Sequence, residues 1–512
     1  MSDDKCTLAT IKQRGNFIEI TKDGASPLPR LMLNCLETYM TYNKLISVYN
    51  TSRFYGGAGE GKAIKYVKER MYVEKPNGAL VCMRGFLPQV FSMLQQKGFT
   101  IDFIDYNPKI EERTRPNCYY EDWDGLITKF DFRYKQDICL AAISAHDYGI
   151  VEAVPAFGKT WIIAMLCSLY PNAKIDIVVT RVDIAATLYK LLLRNHSSVG
   201  RVGGGHRRQE RITIYVINSL DYSKYDADIV LADEVHEMCT DDKMAKLARY
   251  DNSRMYGFTA SKETRMDNAW RRLEAIFGKT IFNITQQEAE QYGVTSSVLV
   301  QWLDITTADK PVSSKASLVT LNRRGLWRND TRNKKIAEMA RNCCNEGLQV
   351  LVLVDTVDHA LHLHKYLPEF ELCYAEGNLT SDEDRAYYVK HGLLDSDDTP
   401  MTAAKRELLR QKFEAGEIRG AIATSVWSVG VSFVSLGVLI RADGKASETA
   451  NVQAPGRVCR IDPASGKYVG LLIDCMDHFD SRLLRRSYTR RRAYQRVGWT
   501  QLMDDGKQWK PR

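Results

Sequence analysis

The sequence predicts an α/β protein: two parallel-sheet domains in tandem, preceded by a small α+β domain. Three observations carry this. From about residue 130, short apolar runs alternate with helical patterns, and IDIVVT (175–180), ITIYVI (212–217), DIVLAD (228–233) and MYGFTA (255–260) read as buried strands. A polar stretch, ITTADKPVSSKAS (305–317), then opens a second series: VLVLVD (350–355), ELCYAE (371–376), GAIATS (420–425), GVLIRA (437–442) and YVGLLID (468–474). Strands alternating with helices imply parallel sheets covered on both faces, which is why each run is apolar throughout. The first 120 residues differ, with a Gly-rich basic patch, RFYGGAGEGKAIKYVKERMY (53–72), then a strand–helix–strand pattern over 80–105. The predicted boundaries are an accessory domain at 1–120, α/β domains at 121–305 and 306–480, and a basic extension at 481–512.

Composition narrows the class. A chain of 512 residues has room for roughly three domains, and 44% hydrophobic with 26% charged residues is ordinary for globular protein. No segment reaches the roughly 18 apolar residues that span a bilayer. The start, MSDDKCTLAT, lacks the layout of a signal peptide, so a cytoplasmic protein without a membrane partner is expected. Twelve cysteines without a single C-x-x-C pair argue against a zinc ribbon or a disulfide framework.

Charge is unevenly placed. Ten of the 71 Lys/Arg and two of the 63 Asp/Glu fall in 481–512, so that segment carries the whole net charge of +8. There, SRLLRRSYTRRRAYQRVGW interleaves arginines with Tyr488, Tyr494 and Trp499. The pattern suits a phosphate backbone, and equally a solvated terminal helix face.

Three motifs carry chemistry. AVPAFGKT (153–160) ends like a phosphate-cradling loop, although Ala153 stands where the first glycine of that loop usually does. Successive backbone N–H groups at a helix start converge on anionic oxygens; Gly158 permits close approach, Lys159 reaches the phosphates and Thr160 offers its hydroxyl to Mg²⁺. The feeding strand GIVEAV and the following helix WIIAMLCSLY supply the required context. DIVLADEVHEM places Asp233 and Glu234 at the end of an apolar strand, 74 residues after Lys159. Asp233 there can hold Mg²⁺, and Glu234 can orient and deprotonate an attacking water. QAPGRVCR (453–460) sets Arg457 and Arg460 three apart, on nearly one face of a helix, where they can stabilise charge on a γ-phosphate. The run GGAGEGK (56–62) resembles a phosphate loop but lacks a preceding apolar strand and a following Ser/Thr, and reads as a turn.

The ordered set resembles the superfamily-two helicases over about residues 130–475. FRYKQ (132–136) resembles their adenine-reading element, with Gln136 on the base and Arg133 beside it. AVPAFGKT is similar to motif I, in which alanine commonly takes the first position; Pro155, Ala156, Phe157, Gly158, Lys159 and Thr160 then belong to the ATP site. VVTRVDIAATL, GGG (203–205) and VINSL resemble motifs Ia, Ib and Ic, which implies nucleic-acid contacts at Arg181, Gly204 and Ser219. DEVH is motif II of the D-E-x-H kind, and GFTAS (257–261) stands at motif III, implying coupling roles for His236, Thr259 and Ser261. VLVLVDTVDHA, TSVWSVGVS and QAPGRVCR resemble motifs IV, V and VI. They add Thr356 and Thr424 as nucleic-acid contacts, Gly430 at ATP, and Gln453, Arg457 and Arg460 as catalytic residues with Lys159, Asp233 and Glu234. Ser432 replaces an aspartate usual in motif V, and residues 381–402 read as an insertion.

Within the superfamily the chain looks most like the UvsW-type branch-migration helicases of tailed phages. YVEKPNGALVCMRGFLPQVFSMLQQKGFTIDF (72–103) resembles their N-terminal domain, and RNDTRNKKIAEMA (328–340) the helix opening their second motor domain. The resemblance implies two RecA-like domains, ATP and Mg²⁺ as cofactors, and a monomer acting on forked, four-way or other branched DNA. It implies branch migration, fork regression and removal of RNA from R-loops. An RNA helicase of the D-E-x-H kind and a non-catalytic, ATP-gated nucleic-acid clamp remain the alternatives.

Overall fold

The computed structural model describes residues 7–24, 26–49, 62–107, 114–116, 132–260, 270–374, 382–394, 401–427, 433, 435–446 and 469–503. The chain divides into two compact units, Met1–Ala153 with Gly158–Ile284, and Val154–Phe157 with Thr285–Arg512.

The first unit holds the accessory domain and one large sheet. Strands β1 (Thr7–Arg14), β2 (Phe17–Lys22), β5 (Tyr72–Glu74), β6 (Leu80–Met83) and β7 (Phe99–Asp105) form a five-stranded sheet in the order β5-β6-β2-β1-β7. Helix Leu87–Gln96, with Pro88 in its first turn, joins β6 to β7 as the pattern over 80–105 predicts. Its Val90 and Leu94 pack on Ile11, Ile18, Ile20 and Leu80. Strands β3 (Thr41–Tyr49) and β4 (Lys62–Arg70) pair only with each other among the described residues.

The accessory domain is fused to the large sheet rather than tethered to it. Arg84, buried, donates from Nη2 to the Ser253 carbonyl at 2.5 Å, and Asn16 donates to the Tyr250 carbonyl at 2.5 Å. A Cβ on Gly85 would stand 2.2 Å from the Glu274 carbonyl oxygen, so only glycine permits this backbone contact with helix Arg271–Phe277.

The large sheet comprises β8 (Tyr148–Ala153), β9 (Ile175–Val179), β10 (Gly200–Gly203), β11 (His206–Arg208), β12 (Ile212–Val216), β13 (Ile229–Asp233), β14 (Arg254–Thr259) and β15 (Thr280–Ile284). Its order is β11-β10-β12-β9-β13-β14-β8-β15, parallel except for the edge hairpin β10–β11. Every residue of β9, β12 and β13 is buried, as strands covered on both faces must be.

The second unit is a seven-stranded, wholly parallel sheet. It contains β16 (Ser297–Ile305), β17 (Val350–Leu353), β18 (Glu371–Cys373), β19 (Gly420–Ala423), β20 (Val438–Arg441), β21 (Val469–Asp477) and β22 (Thr500–Leu502), in the order β18-β19-β17-β20-β21-β16-β22. Two sequence expectations change here. Residues 297–305, assigned to the first α/β domain, pair along their whole length with β21 and so belong to the second sheet. The segment 481–512, read as an extension, begins as helix Ser481–Val497 packed on that sheet and continues into its edge strand β22.

That helix divides its arginines. Arg490 is fully buried, its Nε donating to both oxygens of buried Asp474 at 3.1 and 2.9 Å and its Nη2 to the Cys475 carbonyl at 2.8 Å. Tyr494 donates to the same carboxylate at 2.7 Å and accepts from Arg441 at 3.0 Å. Arg482 holds Asp480 and three carbonyls of the 313–316 loop, and Arg486 donates to Asn322 Oδ1. Arg485, Tyr488, Arg492 and Arg496 stay exposed, and their spacing puts them on one face. The basic stripe is therefore half core and half surface. A charge count cannot see this, because helix faces are chosen by what the helix packs against.

Candidate nucleotide and nucleic-acid site

The sequence motifs gather at the carboxyl ends of the strands of the large sheet, where open parallel sheets place their ligands. The nucleotide candidates leave β8, β13 and β14, which are neighbours; the nucleic-acid candidates leave β9, β10 and β12, also neighbours. One sheet edge thus carries two adjoining sites, with the boundary between β9 and β13.

At the first, β8 ends at Ala153 and helix Lys159–Leu169 begins beyond the loop, capped by Gly158 in the left-handed region at φ 97°. Ala156 is also left-handed, at φ 69°. These two turns fold the loop back on itself, and Lys159 Nζ donates across it to the Ala153 carbonyl at 3.0 Å. Gln136 is buried beside the loop; a Cβ on Gly158 would stand 2.7 Å from its Nε2. Its Oε1 accepts from the Arg133 backbone N–H at 3.0 Å, which fixes the amide, while the Arg133 side chain is exposed. Adenine-reading element and phosphate loop are thus in contact, although 22 residues separate Gln136 from Gly158.

Asp233 ends β13, buried, with Oδ1 accepting from the Glu234 N–H at 3.0 Å. Burial first, and then the charge of Glu234, raise its pKa above the ordinary carboxylate range, while Lys159 pulls it down. Two neighbouring carboxyls with a lysine as counter-charge make a site that gains from a cation. Thr160 and Asp233 supply oxygen donors of the kind Mg²⁺ takes, usually one or two from protein with phosphate oxygens completing the shell. Among the described residues no group of three or more His, Cys, Asp or Glu would hold a metal unaided. The donor set fits Mg²⁺ held jointly with nucleotide phosphates.

Glu234 sits in the left-handed region at φ 53°, turning the chain sharply after β13. His236 is buried, with Nδ1 2.9 Å from Thr259 Oγ1 and 3.4 Å from Glu234 Oε2. Motif II and the end of β14 are joined through this ring.

At the second site, Arg181 caps helix Val182–Leu192 after β9. A Cβ on Gly204 would stand 2.5 Å from Val182 Cγ1, and one on Gly203 3.2 Å from Ser219 Oγ. Arg181, Gly204 and Ser219 are therefore clustered as the motif order implies. One participant was not legible in the motifs: Glu237, whose Oε1 lies 3.5 Å from Arg181 Nη2 and whose N–H donates to the Glu234 carbonyl at 2.9 Å. It follows Glu234 by three residues, and that spacing is its only trace in the sequence.

In the second unit, Thr356 and Thr424 follow the adjacent strands β17 and β19. The Thr356 hydroxyl accepts from the His359 N–H at 3.2 Å, capping helix Val357–His364. Thr424 is 1% exposed, so its hydroxyl is not offered to the surface. Ser261, Gly430, Gln453, Arg457 and Arg460 lie outside the described residues, as does Ser432.

Residues 332–462 match the family described as the helicase conserved C-terminal domain. The chain carries a helicase C-terminal domain. That domain begins inside helix Asp330–Asn345 and spans the sequence from motif IV through motif VI. A search of the curated proteins finds no match. Among solved structures the chain is similar to S. cerevisiae Dbp5 bound to RNA and ADP BeF3, at 13% identity over 74% of this chain and 92% of that one, with TM-score 0.51. It also aligns with T4 UvsW (14% identity, 97% and 98% covered, TM-score 0.41) and with a putative HsdR subunit of a type I restriction enzyme from Vibrio vulnificus (12%, 94% and 98%, TM-score 0.49). The Dbp5 likeness shows the fold: α/β, with tandem RecA-like sheets, here behind an N-terminal accessory domain. No helix among the described residues is long and apolar enough to cross a membrane.

Proposed function

We propose that this helicase-fold protein is an ATP-driven motor that remodels branched DNA, acting as a cytoplasmic monomer. The observation that carries the motor reading is the meeting of Gln136, Gly158, Lys159 and Asp233 around one loop. The buried Gln136 amide reads the base, the loop N–H groups and Lys159 hold the phosphates, and Glu234 orients the attacking water and takes its proton. Mg²⁺, held by Thr160 and Asp233, supplies charge neutralisation on the phosphate oxygens. Arg457 and Arg460 stabilise the charge that develops on the transferred group. His236 and Thr259 pass the state of motif II to β14, and the Arg181–Glu237 pair links motif II to the nucleic-acid site. Contacts along Arg181, Gly204 and Ser219 go to phosphates, so binding is sequence-tolerant and salt-sensitive.

The DNA-branch reading draws on the UvsW-type sequence resemblance of the accessory domain, whose fusion to the motor sheet suits a part that grips DNA while the motor moves. The exposed stripe Arg485, Tyr488, Arg492 and Arg496 offers a further phosphate contact. The test is steady-state ATP hydrolysis with equal amounts of single-stranded, duplex, forked and four-way DNA and of RNA, with Lys159→Ala as the blank. Strongest stimulation by forks or junctions is expected. Strongest stimulation by RNA would replace the DNA reading with an RNA helicase, and turnover surviving in Lys159→Ala would remove the motor assignment.

A further inference from the structure

The feature that the proposed motor leaves unexplained is the hairpin β3–β4. Its nine residue pairs, from Thr41↔Arg70 to Tyr49↔Lys62, form a two-stranded sheet that pairs with no third strand among the described residues. Such a ribbon is marginal in water unless something anchors it. The anchor is at its root. Tyr42 and Glu69 stand opposite each other in register, and Tyr42 is buried. Arg272, from helix Arg271–Phe277, donates from Nε to Glu69 Oε1 at 2.6 Å, forms a second ion pair with Asp241, and donates from Nη1 to the Cys239 carbonyl at 3.4 Å. Cys239 and Asp241 lie just past Asp233–His236. The root of the ribbon is therefore fixed to the segment that leaves the nucleotide site.

Beyond that root the register continues for seven pairs, Asn43↔Lys68 to Tyr49↔Lys62, a reach of about 20 Å at strand spacing. The two strands contain Lys44, Lys62, Lys65, Lys68 and Arg70 against one acid, Glu69, and Arg272 already takes that charge. Alternation places Lys62, Lys68 and Arg70 on one face with Tyr49 and Tyr66, and Lys44 and Lys65 on the other. Asn43, Val67, Lys68 and Arg70 are exposed. A solvated ribbon with cations on both faces and no acidic residue left to balance them is unsuited to a protein core or an apolar groove. It is complementary to a polyanion. Duplex DNA, with about one negative charge per 1.7 Å, presents that polyanion at matching length.

We propose that the β3–β4 ribbon is a DNA-binding arm, which lies along the phosphate backbone of one duplex of a branched substrate and reports its engagement through Arg272 to the segment behind motif II. This rests on the DNA-motor reading above and adds to it a contact surface outside the helicase motifs. The ribbon's cations contribute counterion release, while its root makes the binding felt where Asp233 and Glu234 sit.

The test uses the full chain carrying Lys44→Ala, Lys65→Ala and Lys68→Ala together, with the triple Lys→Arg variant beside it. Binding of a fluorescent four-way junction is measured across a salt series, and DNA-free ATPase and thermal unfolding are recorded on the same preparations. The alanine variant is expected to lower the log–log salt slope by about 2 to 3 and to weaken junction binding roughly tenfold or more. Thermal unfolding and DNA-free ATPase should match the parent, and the arginine variant should keep the parental slope. Unchanged slope and affinity in a folded alanine variant would overturn the arm. Equal loss in the arginine variant would also overturn it, since charge would then not be the cause. A parent chain that hydrolyses ATP only with RNA would instead overturn the DNA reading on which the arm rests, and the two failures are distinguishable because the second appears before any arm variant is made.

Discussion

Replacing Arg490 by methionine separates the two roles of the C-terminal helix. The guanidinium and its partner Asp474 are both fully buried, joined at 2.9 and 3.1 Å, and Arg490 also satisfies the Cys475 carbonyl. Methionine preserves the stem and removes the charge. Asp474 then keeps only the Cys475 N–H at 2.7 Å and the Tyr494 hydroxyl at 2.7 Å against a full buried negative charge. Removing one partner of such a pair costs about 3–5 kcal/mol, because the other charge is left uncompensated. Adding Asp474→Asn should recover much of that loss, since the charge itself is then gone. Guanidinium unfolding followed by tryptophan fluorescence reads the right region: Trp302 and Trp499 flank Tyr494, with ring centroids 5.9 and 5.5 Å away. Arg492→Ala, on the exposed face, should change stability by no more than about 0.5 kcal/mol while reducing the salt dependence of DNA binding by about one unit. An Arg490→Met protein as stable as its parent, with a weaker salt slope, would refute the reasoning and return this arginine to the surface stripe. Trimming residues 481–512 is not an equivalent experiment, because it also removes Leu483, Ala493 and Tyr494 from the second unit.

Three further outcomes are expected. Gly158→Ala forces an L-residue into φ 97° and drives its Cβ to 2.7 Å from Gln136 Nε2; equilibrium ATP binding should weaken roughly tenfold or more, and wild-type affinity would mean that the loop does not hold the nucleotide. Thr259→Val leaves the buried His236 ring without its hydroxyl partner at 2.9 Å; strand separation should fall roughly tenfold, as a buried hydrogen bond of about 1.4 kcal/mol requires, while ATP turnover persists, and parallel loss of both would count against a coupling role. Burial alone would raise the Asp358 carboxyl, but His362 and Arg328 outweigh it and hold it at about 2. A depressed carboxyl contributes stability above its unfolded value of about 3.9 and loses it as pH falls toward 2, so Asp358→Asn should flatten the acid-unfolding profile in that window; an unchanged profile would place the acid sensitivity elsewhere.

Much of the molecule was legible in the chain itself. The apolar runs at 175–180, 212–217, 228–233 and 255–260 became β9, β12, β13 and β14, and the runs from 350 onward became β17 to β21. A strand buried on both faces has nowhere to place a polar residue, so its sequence declares it. The loop at Gly158, Lys159 and Thr160 and the strand-end acids Asp233 and Glu234 were equally readable, because their chemistry depends on neighbours in sequence. What the chain could not declare was partnership at long range. SVLVQWLDI at 297–305 is a strand in either domain, and only its nine-residue pairing with β21 decides which. Arg490 and Arg492 are both arginines on one helix, and only the burial of Asp474 makes the first a core residue. Glu237 looks like any surface acid until Arg181 arrives from another strand. Local periodicity and fixed spacings are properties of the sequence. The environment of a charge is a property of the fold, because it is set by groups hundreds of residues away in the chain and within a few ångströms in space.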